Sequence, residues 1–141
     1  MSTEQNKALL RRYADEIINK RNLPILDELM APGLAKDLVN DGVPPDGFNL
    51  SAFGILYSFP DLQVTIEDDF AEGDKVGTRN YLTGTHKGDF EGLAPTGKQV
   101  KFPYIDLWRV ENGKLVEFWA RVDYLGLMKQ LGLVPKPAQG G

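Results

Sequence analysis

Asp106 is the residue of this chain least suited to its neighbours. It lies within Tyr104-Ile105-Asp106-Leu107-Trp108, an apolar run in which an unpaired charge is costly, so it is neutral, paired, or facing a wet cavity. On a cavity wall its pKa rises, and the acid becomes a hydrogen-bond donor to a developing oxyanion. In the plainer case it pairs with Arg79 or Arg121 on a neighbouring strand. Asp123 ends a second apolar stretch, where it serves either as an acid/base group or as the N-cap of the helical run that follows. Tyr13 falls on a buried helical stripe, and a buried phenol needs a partner that a pocket carboxylate would supply. His86, the single histidine, follows Gly84-Thr85 at the rim of a bent strand, as a loop hydrogen-bonder or as a partner orienting a carboxylate. Arg79 with Asp106 and Asp123 suggests a further chemistry, epoxide opening, in which an Asp-Arg-Asp set activates water and protonates the oxirane. Against it, Arg79 is followed by Asn80-Tyr81, so one strand does not carry Arg-x-Asp.

Composition narrows the alternatives. The chain has 141 residues and no cysteine, which removes thiolate catalysis, disulfides and sulfur-ligated metal. One histidine excludes a multi-histidine metal site, so no metal is expected and carboxylates and phenols must carry any chemistry. With 16 Lys+Arg against 20 Asp+Glu the net charge is -4, which argues against nucleic acid or an anionic membrane as a partner. The polar start MSTEQNKALL and the absence of a long apolar run lead to the expectation of a cytoplasmic protein. The length suits one domain, expected over residues 1–134, with a Pro/Gly tail over 135–141.

The elements that must position these groups follow from periodicity. Ser2 or Thr3 caps a helix whose apolar positions Leu9, Leu10, Tyr13, Ile17 and Ile18 run to about Arg21. Pro24 opens a short second helix with Leu26, Leu29 and Met30, ended by Pro32-Gly33. A third is expected from Phe48 to Phe59, with Leu50, Phe53, Leu56 and Tyr57 inward, until Pro60 stops it. From Asp61 the period becomes two. Strands are expected over Leu62 to about Glu72, Lys75 to Lys87, Gln99 to Val110 and Leu115 to Val122, reversed at Glu72-Gly73-Asp74 and Asn112-Gly113. A short amphipathic segment, Tyr124 to Leu131, follows. Helices first and an antiparallel meander afterwards read as α+β, a curved sheet of about four strands with three N-terminal helices on one face. Such a cone encloses a tapering cavity suited to a small molecule. In the last strand Val116, Phe118, Ala120 and Val122 oppose Glu117, Trp119, Arg121 and Asp123, so one set alone faces that cavity unless a bulge intervenes.

Several segments in order resemble the SnoaL-like polyketide cyclases, within the superfamily of nuclear transport factor 2 and ketosteroid isomerase. They are Asn19-Lys20-Arg21-Asn22-Leu23, Phe59-Pro60-Asp61-Leu62, Glu72-Gly73-Asp74-Lys75-Val76, Gly84-Thr85-His86-Lys87-Gly88, Pro95-Thr96-Gly97-Lys98 and Ile105-Asp106-Leu107-Trp108-Arg109-Val110. Trp119, Asp123 and Leu125-Gly126-Leu127-Met128-Lys129-Gln130-Leu131-Gly132 complete the set. The resemblance implies a cone-shaped α+β fold and cofactor-independent acid/base chemistry next to a carbonyl. The reaction would be an intramolecular aldol closure or a ketosteroid-isomerase-like double-bond shift on an apolar cyclic or polyketide substrate. It implies an acid/base carboxylate four residues after a tryptophan, here Asp123 after Trp119. The likeness to ketosteroid isomerase implies that Tyr13 and Asp106 hold an enolate oxygen, with Asp37 near the position of the proton-moving carboxylate.

Trp108, Trp119, Tyr104, Phe59 and Tyr57 are the aromatic residues expected to line a substrate site, with Arg79 as a polar contact. The same aromatics could be plain core, or a sheet face buried in a homodimer, which the superfamily resemblance favours. The rival function is a non-catalytic ligand-binding or dimerising domain of the same fold.

Overall fold

The computed structural model describes residues 2–35, 52–90 and 92–133, without the side chains of residues 52–54. Helix α1, Thr3–Tyr13, starts in a capping box: Ser2 Oγ accepts from the Gln5 amide at 3.1 Å, and the Gln5 side chain accepts from the Ser2 amide at 2.9 Å. The sequence predicts an α-helix continuing to Arg21, but Ala14–Asn19 form a π-helical stretch instead. The wider turn brings consecutive Ile17 and Ile18 inward together, and both are buried. A 3-10 turn at Leu23–Ile25, with Pro24 in its first positions, leads into α2, Leu26–Leu29.

Helix α3 covers Ala52–Ser58. Of its expected inner face, Leu56 packs half-buried against the core. Ile55 and Ser58 are buried together with Phe59 just beyond the helix, whereas Tyr57 is 69% exposed. The expected start of this helix at Phe48 lies outside the described residues, as do Leu50, Asp37 and the 135–141 tail.

Strands β1 (Gln63–Glu72), β2 (Lys75–Thr85), β3 (Gln99–Glu111) and β4 (Lys114–Val122) form one antiparallel meander in the order β1-β2-β3-β4. Gly73, at φ 58, turns the first hairpin, and Asn112-Gly113, at φ 51 and 75, turn the last. A bulge between Ile66 and Asp68 and another at Arg109/Val110 bend the sheet. Helix α4, Tyr124–Gln130, packs against β3, with its Leu127 buried and its Gln130 side chain bonded to the Lys101 backbone.

Two of the resembling segments, residues 19–23 and 59–62, join the helices to the sheet. Asn19 completes the edge of β1, accepting from the Val64 amide at 2.7 Å and donating to the Val64 carbonyl at 3.2 Å. Arg21, in the left-handed region at φ 58, donates to the carbonyls of Leu62, Phe59 and Pro60. These bonds offset a backbone cost of about 1–2 kcal/mol for a residue with a Cβ. Asp61 receives both the amide and the hydroxyl of Thr85, each at 2.7 Å. Arg11 grips Asp69 through two nitrogens, at 2.7 and 3.0 Å, and holds α1 on the concave face.

Candidate active site

Alternation along β3 puts Phe102, Tyr104, Asp106, Trp108 and Val110 on the concave face and leaves Ile105 57% exposed on the other. The register of β4 resolves the parity question. Tyr104 faces Val122, Asp106 faces Ala120 and Trp108 faces Phe118, so the apolar set of β4 lines the interior. These residues and Tyr13, Ile18, Ile55, Leu62 and Leu82 surround a narrow apolar cavity of about 60 Å³. From α1, Tyr13 packs its ring 4.9 Å from that of Trp108, which in turn lies 4.4 Å from Phe118.

Asp106 is the one carboxyl group among the described residues on this wall, and it is 4% exposed. Neither Arg79 nor Arg121 reaches it. Arg79 lies on the convex face, paired with Glu67 at 3.5 Å, and Arg121 is exposed on β4 with its guanidinium on the Ala120 carbonyl. Strand parity explains this, because β2 turns Thr78 and Asn80 inward and Arg79 outward. Thr78, directly opposite Asp106 in the register, donates its hydroxyl proton to Asp106 Oδ1. Asn80 Nδ2 donates to Thr78 Oγ1 at 2.6 Å.

Burial pushes the Asp106 pKa up, partly offset by Thr78, the Trp108 indole and Asn80, which favour the charged form. The Trp108 N–H lies close enough to contribute, yet it forms no well-aligned hydrogen bond among the described residues. Tyr13 is raised by burial and then by the negative charge of Asp106. Tyr104 is raised well above the ordinary phenol range by the same two causes in the same order. Both phenols therefore stay protonated at neutral pH. Among the described residues neither donates a hydrogen bond to Asp106, which leaves their O–H groups available in a cavity that already holds a carboxyl group.

The other expected site residues stand elsewhere. Asp123 is exposed and caps α4, accepting from the Gly126 amide at 2.9 Å. A Cβ at Gly126 would displace the Asp123 carboxylate from this position. Trp119 is on the convex face, 43% exposed, opposite Leu107. The Asp-Arg-Asp arrangement needed for epoxide opening is therefore not assembled among Arg79, Asp106 and Asp123.

His86 is fully buried rather than at a rim, packed between Phe59 and Phe90 at ring distances of 5.6 and 6.4 Å. Its Nδ1 accepts from the Thr96 amide at 3.1 Å, so a neutral ring carries its proton on Nε2. Both His86 and Phe59 lie beyond the cavity wall in the core, and no carboxylate among the described residues bonds the imidazole. Thr78 and Asn80 went unnoticed in the sequence. The available signal was two polar residues in phase with Val76 and Leu82, on a face expected to be buried.

Among the described residues no helix is long and apolar enough to cross a membrane. Comparison with known proteins finds that the SnoaL-like polyketide cyclase family matches residues 8–131. An aklanonic acid methyl ester cyclase of Streptomyces peucetius, DnrD, is 30% identical over 89 residues, covering 62% of this chain. The match spans about three fifths (61%) of that relative's length. A second such cyclase, DauD of Streptomyces sp. (strain C5), is 30% identical over 109 residues, 77% of this chain and 67% of the relative. Among solved structures, AclR of Streptomyces galilaeus, a candidate hydroxylase, superimposes with a TM-score of 0.75 at 27% identity, covering 95% of this chain and 100% of its own.

Proposed function

Because the chain belongs to the SnoaL-like polyketide cyclase family, we propose that it is a cofactor-independent enzyme that moves a proton next to a carbonyl, with Asp106 as the acid/base group. The observation that carries this reading is one buried carboxyl, the single one among the described residues on an apolar wall, its pKa raised by burial, with two protonated phenols on the same wall. Tertiary shape alone does not choose the chemistry, since a structural relative is a candidate hydroxylase.

In the proposed cycle, Asp106 as carboxylate takes a proton from a carbon α to a carbonyl. Negative charge moves to the carbonyl oxygen, where the Tyr13 and Tyr104 hydroxyls donate hydrogen bonds. For a ring closure, the carbanionic carbon attacks a second carbonyl of the same molecule. The alkoxide so formed recovers the proton from Asp106, and the carboxylate is regenerated without net proton change. For a double-bond shift, the same proton returns to a different carbon. Each oxyanion donor in comparable sites is worth about 3 kcal/mol, or roughly a hundredfold in rate.

The expected substrate is an apolar polyketide or cyclic ketone, a class consistent with the aklanonic acid methyl ester named for the two relatives. A cavity of about 60 Å³ is much smaller than typical ligand pockets, so binding a multi-ring molecule requires the Tyr13, Trp108 and Phe118 side chains to part. Asp123 enters this reading as a helix cap rather than as the base, and Asp37 lies outside the described residues. We also propose a cytoplasmic homodimer formed through the convex face, where Phe70, Ile105 and Trp119 are exposed.

The test is turnover of a polyketide methyl ester carrying a 1,3-dicarbonyl, comparing Tyr13→Phe and Tyr104→Phe with the parent. Each loss should lower kcat by about a hundredfold and leave KM nearly unchanged. Full turnover in the double variant would remove the phenols from the mechanism.

A further inference from the structure

The chain spends two buried polar residues on β2 where packing alone asks for none. Thr78 and Asn80 are each 1% exposed, between Val76 and Leu82 on the same face. Valine has nearly the shape of threonine and would fill the space at 78 without burying a hydroxyl. The amide of Asn80 is costly too, because its Oδ1 has no partner among the described residues.

What the two gain is direction. The Thr78 hydroxyl has one proton, and with its oxygen accepting from Asn80 Nδ2 at 2.6 Å that proton is turned toward Asp106 Oδ1. We propose that Thr78, itself held by Asn80, is a positioning residue for Asp106, pinning Oδ1 so that Oδ2 is the oxygen left to exchange a proton in the cavity.

This rests on the reading of Asp106 as the acid/base group. The groups facing Asp106 are few. Tyr13 comes from α1, Tyr104 and Trp108 from β3 itself, Thr78 and Asn80 from β2, and uncharged Ala120 from β4. No described cation lines the cavity. The Thr78 bond thus opposes the effect of burial, favouring the carboxylate form that burial disfavours.

The experiment titrates Asp106 in the ligand-free protein by its side-chain carboxyl 13C resonance, assigned by its loss in Asp106→Asn. The same series is followed by the pH profile of kcat for a 1,3-dicarbonyl methyl ester. Thr78→Val should move the Asp106 midpoint up by about one pH unit, the size of one hydrogen bond to a charged group. The acidic limb of the kcat profile should shift with it, while KM changes little. Thr78→Ser, which keeps the hydroxyl, should restore the parent midpoint, and Asn80→Ala should move it upward by less than Thr78→Val.

A midpoint unchanged in Thr78→Val, or displaced as far in Thr78→Ser, overturns the proposal. Should Thr78→Val not fold, the Asn80→Ala titration decides the matter, an unshifted midpoint counting against it. The titration needs no substrate. A shifted midpoint in a protein that turns over no ketone would therefore sustain the positioning of Asp106 while removing the catalytic reading.

Discussion

Asp123 offers the sharpest way to separate the role implied by family resemblance from the role its geometry gives it. Its carboxylate accepts one hydrogen bond, from the Gly126 amide at 2.9 Å, at the exposed start of a seven-residue helix. Removing an N-cap of this kind costs about 1 kcal/mol, whereas asparagine caps as well as aspartate does. For a chain of this length 1 kcal/mol corresponds to a melting shift of about 3–4 °C. Asp123→Ala should therefore melt about 3–4 °C below the parent and Asp123→Asn at the parent temperature, both read by circular dichroism. If the carboxylate is only a cap, both variants should exchange deuterium into the acidic C–H positions of a 1,3-dicarbonyl substrate within about twofold of the parent rate. An Asp123→Asn protein with an unchanged melt and exchange reduced a hundredfold would refute this reasoning, since that variant keeps the cap and loses only the base.

Burial raises Asp106 in the folded state, so between the ordinary carboxyl range and the raised value the native protein binds more protons than the unfolded chain. Stability contributed by Asp106 is then lost as pH rises through that window. Asp106→Asn should gain in urea midpoint relative to the parent across it and level off above, while parallel curves would contradict the assignment. Phe59 is fully buried beside His86, Phe90 and Phe102, and Phe59→Ala should lose about 3–5 kcal/mol in urea unfolding, although its own side chain does not line the cavity. On the convex face, Trp119→Arg should leave the protomer's stability within about 0.5 kcal/mol and halve the mass seen by light scattering. An undisturbed dimer would place the interface elsewhere.

The order of elements was legible because hydrophobic period and turn chemistry are local. Asn112-Gly113 adopts the two positive φ values its sequence demands, and alternation alone puts Tyr104, Asp106 and Trp108 on one wall. What depends on partners distant in sequence was not legible. Local parity in β2 turns Arg79 away from the face of Val76 and Leu82, but eleven-residue β2 and thirteen-residue β3 are joined by a long connection that sets no register, so nothing local put Thr78 directly across from Asp106. His86 is buried because Thr96 folds back over it, and that contact has no signature in the segment Gly84-Thr85-His86. Trp119 and Asp123 follow the polar parity of β4, a choice decided by its pairing with β3. The π-helical stretch went unseen because its residues also fit an α-helical stripe.

Deuterium incorporation α to the carbonyl of a 1,3-dicarbonyl methyl ester, followed by proton NMR with the parent protein and with Asp106→Asn, tests the central claim most directly. The Asp106→Asn variant would keep the Thr78 hydrogen bond and the cavity shape but could not accept a proton. The account predicts exchange well above the buffer rate with the parent and its reduction by about a hundredfold or more in the variant. Exchange equal in the two proteins, or equal to buffer in both, would contradict Asp106 as the base, and the latter result would favour a ligand-binding domain without catalysis.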